Sequence, residues 1–223
     1  MKYYHYIQNA KAEMLFAQIP PRFLSGLKVE LAFDFGVLKG KVAGEHCDLT
    51  TTVARVQAIE KFCEKEGLIK DRCEEGTWIR GKIKARSGFF PQCPGLVLFG
   101  GCIDSTVLLL FGSEAHLLSG SCNPAKDKGW SFIPRSLHAL KGHLESNFEL
   151  LDIETTRSVV GERDVLFADQ DDIESSMFSA FLSLPESLTG PSIEMSFLAR
   201  IFLVKTNSRG ERLAFGSPLY VAD

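Results

Sequence analysis

The spacing of hydrophobic positions changes several times along the chain, and each change marks an element. Lys2 to Gln8 is short and aromatic, which predicts a strand. Asn9 predicts the cap of a helix from Ala10 to Ile19, with Met14, Leu15 and Ile19 inward. Pro20 and Pro21 end that helix, and Pro21 suits the first turn of a second one carrying Phe23, Leu24, Leu27 and Leu31. From Ala32 to Val42 the pattern turns to alternation, with Phe33, Phe35 and Val37 on one side, as in a strand. Asp48 or Thr50 then opens a helix that Gly67 closes, with Val53, Val56, Ile59 and Phe62 forming its apolar stripe.

Three strands follow, at Thr77–Arg86, Leu96–Gly100 and Thr106–Gly112. The last two are near-continuous apolar runs and predict a hairpin across Gly101–Ser105, buried on both faces. Between Ser131 and Leu151, Ile133, Leu137, Leu140, Leu144, Phe148 and Leu151 recur at helical spacing, with Pro134 tolerated in the first turn. A strand around Val159 and Val160, a helix over Ile173–Leu184 and a loop at Gly190-Pro191 come next. Phe197–Val204 fits either a helix or a strand. Arg212–Val221 reads as a closing strand, with Pro218 pushing it toward a sheet edge or a bulge. Helices and strands mix without β-α-β alternation. The expectation is α+β: a single compact domain over residues 1–223, with a mostly antiparallel sheet and packed helices.

Composition narrows the function classes. The 223 residues are 45% apolar and 24% charged, which excludes a disordered chain, a collagen and a small disulfide scaffold. A net charge of −3 excludes a cationic field over the whole molecule, so nucleic acid is an unlikely partner unless a basic patch is local. No secretory h-region and no uninterrupted spanning segment is present, which predicts a cytoplasmic protein away from membranes. The six cysteines form no Cys-x-x-Cys pair and are expected as free, mostly buried thiols. No metal and no cofactor is expected. His138 and His143 lie about 140° apart on the long helix, and the acids from Asp169 to Glu174 lack the glycine and final glutamate of a calcium loop.

Two places carry candidate chemistry. Gly112-Ser113 ends a buried strand, and Ser113 would cap a short helix bearing His116. Free N–H groups there suit a phosphate or carboxylate, and equally an ordinary capped turn. Ser113, His116 and Asp104 also spell a triad on paper, although Gly-x-Ser-x-Gly is absent. The second place is the strand Trp78, Arg80, Lys82, Lys84, Arg86, whose alternate residues put one aromatic and four cations on one face. Their spacing of about 6.6 Å matches an extended nucleic-acid backbone. The same charges would also guard an exposed strand, with the acids around Asp171 as a candidate neutralising neighbour.

Tyr3, Tyr4 and Tyr6, Ala10-Lys11, Met14-Leu15 and Gln18-Ile19-Pro20, then Phe99-Gly100-Gly101, Asp104, Gly112-Ser113, His116 and Gly120, and finally Gly216-Ser217-Pro218-Leu219-Tyr220-Val221 carry a resemblance. By them the chain resembles a bacterial, largely actinobacterial, family known as domain of unknown function 7019. That family's pattern has two glycines before the serine, and Phe111 takes the first place here. The resemblance implies no activity. The sequence predicts a non-catalytic, sensor-like module that binds a small anionic ligand or a protein partner. A hydrolase or transferase using Ser113 and His116, and a single-strand nucleic-acid binder using residues 78–86, are the alternatives.

Overall fold

The computed structural model describes residues 2–34, 51–89, 95–118 and 171–223, with side chains for all of these except 28–34 and 171–177. The predicted helix at Ser131–Leu151, the strand near Val160, Asp169 and the histidines and cysteines at positions 46, 47, 93, 122, 138 and 143 lie outside the described residues.

The chain opens with β1 (Tyr4–Ile7), α1 (Asn9–Phe16), α2 (Pro21–Asp34) and α3 (Thr52–Lys65). Thr51 caps α3 by accepting a hydrogen bond from the Ala54 amide at 3.2 Å. Gly67, at φ +64°, ends it in the left-handed region as expected of a C-terminal cap. Four expectations change in this part. Met14, expected inward, is exposed, and Thr51 rather than Asp48 or Thr50 caps α3. Gln8, not Asn9, precedes α1 and makes no side-chain cap, and Ala32–Asp34 belongs to α2 rather than to a strand. Leu24, Leu27 and Leu31 keep helical spacing into that segment and carry the helix through Phe33; the rest of the expected strand, residues 35–42, lies outside the described residues.

Next come β2 (Ile69–Lys70), β3 (Trp78–Phe89), β4 (Leu96–Ile103), β5 (Thr106–Ser113), α4 (Asp171–Ser187), β6 (Ile193–Thr206) and β7 (Arg212–Ala222). The β4–β5 hairpin turns on Asp104 and Ser105, with Asp104 at φ +50°, a conformation that aspartate tolerates better than most residues. Pairing then runs β3–β4–β5–β7–β6 and back to β3. The expected sheet is therefore not open: it closes into a five-stranded barrel, with the β5–β7 contact parallel and the other four antiparallel. Closure uses the stagger along the long β3, which pairs β6 over Trp78–Ala85 and β4 over Ala85–Phe89.

Alternation assigns the two faces. Ile79, Ile83, Val97, Phe99, Leu108, Leu110, Phe197 and Ile201 fill the barrel. Leu96, Leu98, Leu109, Phe111, Leu213 and Phe215 point outward beneath Phe178, Phe181 and Leu184 of α4. The hairpin is thus buried on both faces, as its unbroken apolar runs imply. A second outer wall, with Leu198, Leu219 and Tyr220, packs against Val56, Ile59 and Cys63 of α3. β1 extends this wall by pairing with the end of β7. Pro218 sits beside an irregularity in the β6–β7 register, between the stretch of β7 that pairs β5 and the stretch that pairs β1. Its missing N–H falls where the ladder is already interrupted.

Candidate functional site

Gly112 and Ser113 end β5, as the sequence placed them, but the helix after them is a three-residue 3-10 turn, Glu114–His116. Ser113 is buried and its side chain makes no cap bond. A Cβ on Gly112 would stand 2.7 Å from two ring carbons of Tyr6. The glycine therefore admits a ring that plugs the barrel end. Tyr6 meets Phe99 edge-on at 5.7 Å and the buried His116 at 6.0 Å. Asp104 lies beyond the opposite end of β5, about 23 Å of strand from Ser113. The paper triad with Ser113 and His116 is not assembled.

The basic strand is β3, and its two faces are those expected. Ile79, Ile83 and Ala85 point into the barrel, while Arg80, Lys82 and Lys84 are exposed and Trp78 and Arg86 half-buried. Trp78 packs against the α3 wall. Arg80 donates to both carboxylate oxygens of Glu64, at 3.0 and 3.4 Å, and reaches Glu60 at 3.5 Å. The bond from Arg80 holds the Glu64 carboxyl below its usual range. Lys82 lies 3.5 Å from Glu194 of β6, and Arg86 donates to the Gly190 carbonyl at 3.5 Å. The acids engaging the stripe thus come from α3 and β6, on elements packed or paired beside β3. The neighbour expected around Asp171 begins α4, and its side chains are not among those described.

Two further polar clusters escaped the sequence reading. Glu60, buried on α3, accepts from Lys2 Nζ at 3.0 Å and from the Tyr220 hydroxyl at 2.8 Å. Burial, then the Glu60 charge, pushes the Tyr220 hydroxyl well above its ordinary range. Cys63, on the same wall, is pushed up to about 11 by burial and Glu60. In the second cluster Lys11 donates to Ser217 Oγ at 2.8 Å and lies 3.4 Å from the carbonyls of Ser217 and Pro218. These acceptors flank the interruption beside β7, so Lys11 supplies donors that a continuous strand would have given. Burial, then the Arg200 guanidinium, lowers Lys11 to about 7. A glutamate inside an otherwise apolar stripe, Val56-Ile59-Glu60-Cys63, was the one available signal for the first cluster. For the second there was none beyond the resemblance, since its partners are 206 residues apart.

Among the described residues no group of three or more His, Cys, Asp or Glu side chains is arranged to hold a metal ion. Among them, too, no helix is long and apolar enough to cross a membrane. Cys63 and Cys73 are free and buried, and Cys102 is free and exposed.

Several of the residues that carried the resemblance meet in space. Tyr6 meets Gly112 and His116, Tyr4 meets Tyr220 edge-on at 5.4 Å, and Lys11 meets Ser217. The two ends of the chain thus meet on one side of the barrel. Neither the curated proteins nor the solved structures offer a match to this chain. The family model that does match, described as a family of unknown function (DUF7019), covers residues 2–223, and the chain belongs to that family.

Proposed function

We propose that this protein is a non-catalytic binding module that takes an acidic partner protein on the outer face of β3. One observation carries the reading. Lys82 and Lys84 stand outward on a barrel strand, and Glu194, the acid beside them, is itself 73% exposed. A pair so open to solvent contributes little and exchanges readily for a better anion. The charge of the whole chain, −3, makes this face a local feature and favours a partner that meets only that face. The loop at Gly112, Ser113 and His116 is a weaker place for the ligand, because the Tyr6 ring fills the space over the glycine.

The test is a titration of a labelled oligo-glutamate peptide and, in parallel, a labelled single-stranded oligonucleotide at two salt concentrations. The peptide is expected to bind, more weakly at higher salt. The double change Lys82→Glu with Lys84→Glu is expected to abolish that binding with the melting temperature unchanged. Undiminished peptide binding by the double variant overturns the proposal. Tighter binding of the oligonucleotide, lost in the same variant, would replace the partner protein by a nucleic acid.

A further inference from the structure

A groove of about 350 Å³ lies between α2 and α3, lined by Arg22, Phe23, Gly26, Leu27, Lys61, Glu64 and Lys65. We propose that it binds a small organic phosphate, with Arg22 and Lys65 around the phosphate and the organic portion along Phe23 and the open backbone at Gly26. The volume falls at the lower end of small-molecule sites. Three of the lining side chains are cationic and one is acidic, and that acid, Glu64, already accepts two hydrogen bonds from Arg80. The groove therefore presents an excess of positive charge, which favours a dianion over a single carboxylate. Its apolar parts are Leu27, which is buried, and Phe23, wedged edge-on against Phe62 at 5.1 Å with Lys65 Nζ 5.4 Å over its ring.

Gly26 shapes the groove wall. It lies inside a 14-residue helix, where glycine costs about 1 kcal/mol relative to alanine. Neither usual reason for a glycine applies. Its φ is not in the left-handed region, and a Cβ built on it would meet nothing within 4 Å. Gly26 is exposed, and the missing side chain leaves bare backbone in the wall of the cationic groove.

The site shares no cation with the face used by the partner proposal, so either can fail alone. Phenyl phosphate, inorganic phosphate and benzoate, each titrated to about 10 mM at low ionic strength, form the test, read by calorimetry and melting temperature. Phenyl phosphate is expected to bind tightest. Arg22→Ala with Lys65→Ala should weaken it by about tenfold or more, as expected for lost charge-assisted contacts. Gly26→Leu should block it while leaving the melting temperature equal or higher, because leucine is the better helix former. No binding of phenyl phosphate overturns the proposal. So does binding no tighter than that of inorganic phosphate or benzoate, or binding that survives Gly26→Leu.

Discussion

The two outer walls of the barrel are built on opposite principles. Beneath α4 the wall is hydrocarbon: Phe215 stacks on Phe111 at 5.9 Å and meets Phe181 edge-on at 5.2 Å. Beneath α1 and α3 the wall is interrupted by charge, with Glu60 held by Lys2 and Tyr220, and Lys11 held by Ser217. The first wall stabilises by area removed from water, which needs no partner geometry. The second buries ionisable groups, each acceptable only while its hydrogen bonds are made. Stability should therefore concentrate on the α4 side, and sensitivity to pH and salt on the α1–α3 side. The proposed anion groove lies on the latter.

The largest effect tests the apolar wall. Phe215→Ala removes a fully buried ring with three aromatic neighbours and should cost about 3–5 kcal/mol by denaturant unfolding. A loss under about 1 kcal/mol would mean that the wall collapses freely or that α4 is not its cover.

That wall was legible in the sequence and the other was not, for a physical reason. Leu96–Phe99 and Leu108–Phe111 are unbroken apolar runs, and a short connection joins them, so both faces and the hairpin follow from local pattern. The α3 stripe was visible in the same way, with Val56 and Ile59 buried as expected and Val53 instead exposed. Barrel closure was invisible, because the β3–β6 and β5–β7 pairings join segments about a hundred residues apart and leave no mark on either strand. Phe197–Val204 read as helix or strand since it starts with consecutive apolar residues buried on both faces; the structure makes it β6. Among the candidate residues, the alternation of β3 was legible to the residue. What surrounds it was not, since Glu60, Glu64 and Glu194 arrive by tertiary packing.

The second test uses protons. Lys11 titrates near 7 in the folded protein, against about 10.4 for a lysine in an unfolded chain. Between those values the unfolded chain binds more protons than the folded one, so stability rises with pH across that window and falls again toward 7. Tyr220 and Cys63 are shifted upward and act in the opposite sense, but only above their unfolded values of about 8.5 for a thiol and 10 for a phenol. From pH 7 to 8.5 the Lys11 contribution stands alone among these three, and the melting temperature should rise. Lys11→Met should flatten that rise while leaving the behaviour above about pH 10.4 in place. A melting temperature that falls between pH 7 and 8.5 in the natural protein would show that Lys11 stays protonated there.

The smallest effect compares two ion pairs directly. Lys2–Glu60 joins a carboxylate whose side chain is 10% exposed to an ammonium at 3.0 Å, and the Tyr220 hydroxyl holds the same carboxylate. Lys82–Glu194 joins two side chains, each 73% exposed, at 3.5 Å. The exposed pair works against the high dielectric of water and the entropy of two long side chains, so its coupling should be below about 0.5 kcal/mol and vanish in high salt. The Lys2–Glu60 pair is shielded on one side only, so its coupling should be larger, about 1 kcal/mol, and should fall less with salt. Double-mutant cycles with methionine for lysine and glutamine for glutamate measure both. Equal couplings would mean that water reaches Glu60 as freely as it reaches Glu194, and the contrast between a charged wall and a solvated strand would be lost. A coupling at Lys82–Glu194 above 1 kcal/mol would be more damaging still. It would make that pair a fixed part of the surface and leave Lys82 a poor candidate for engaging a partner.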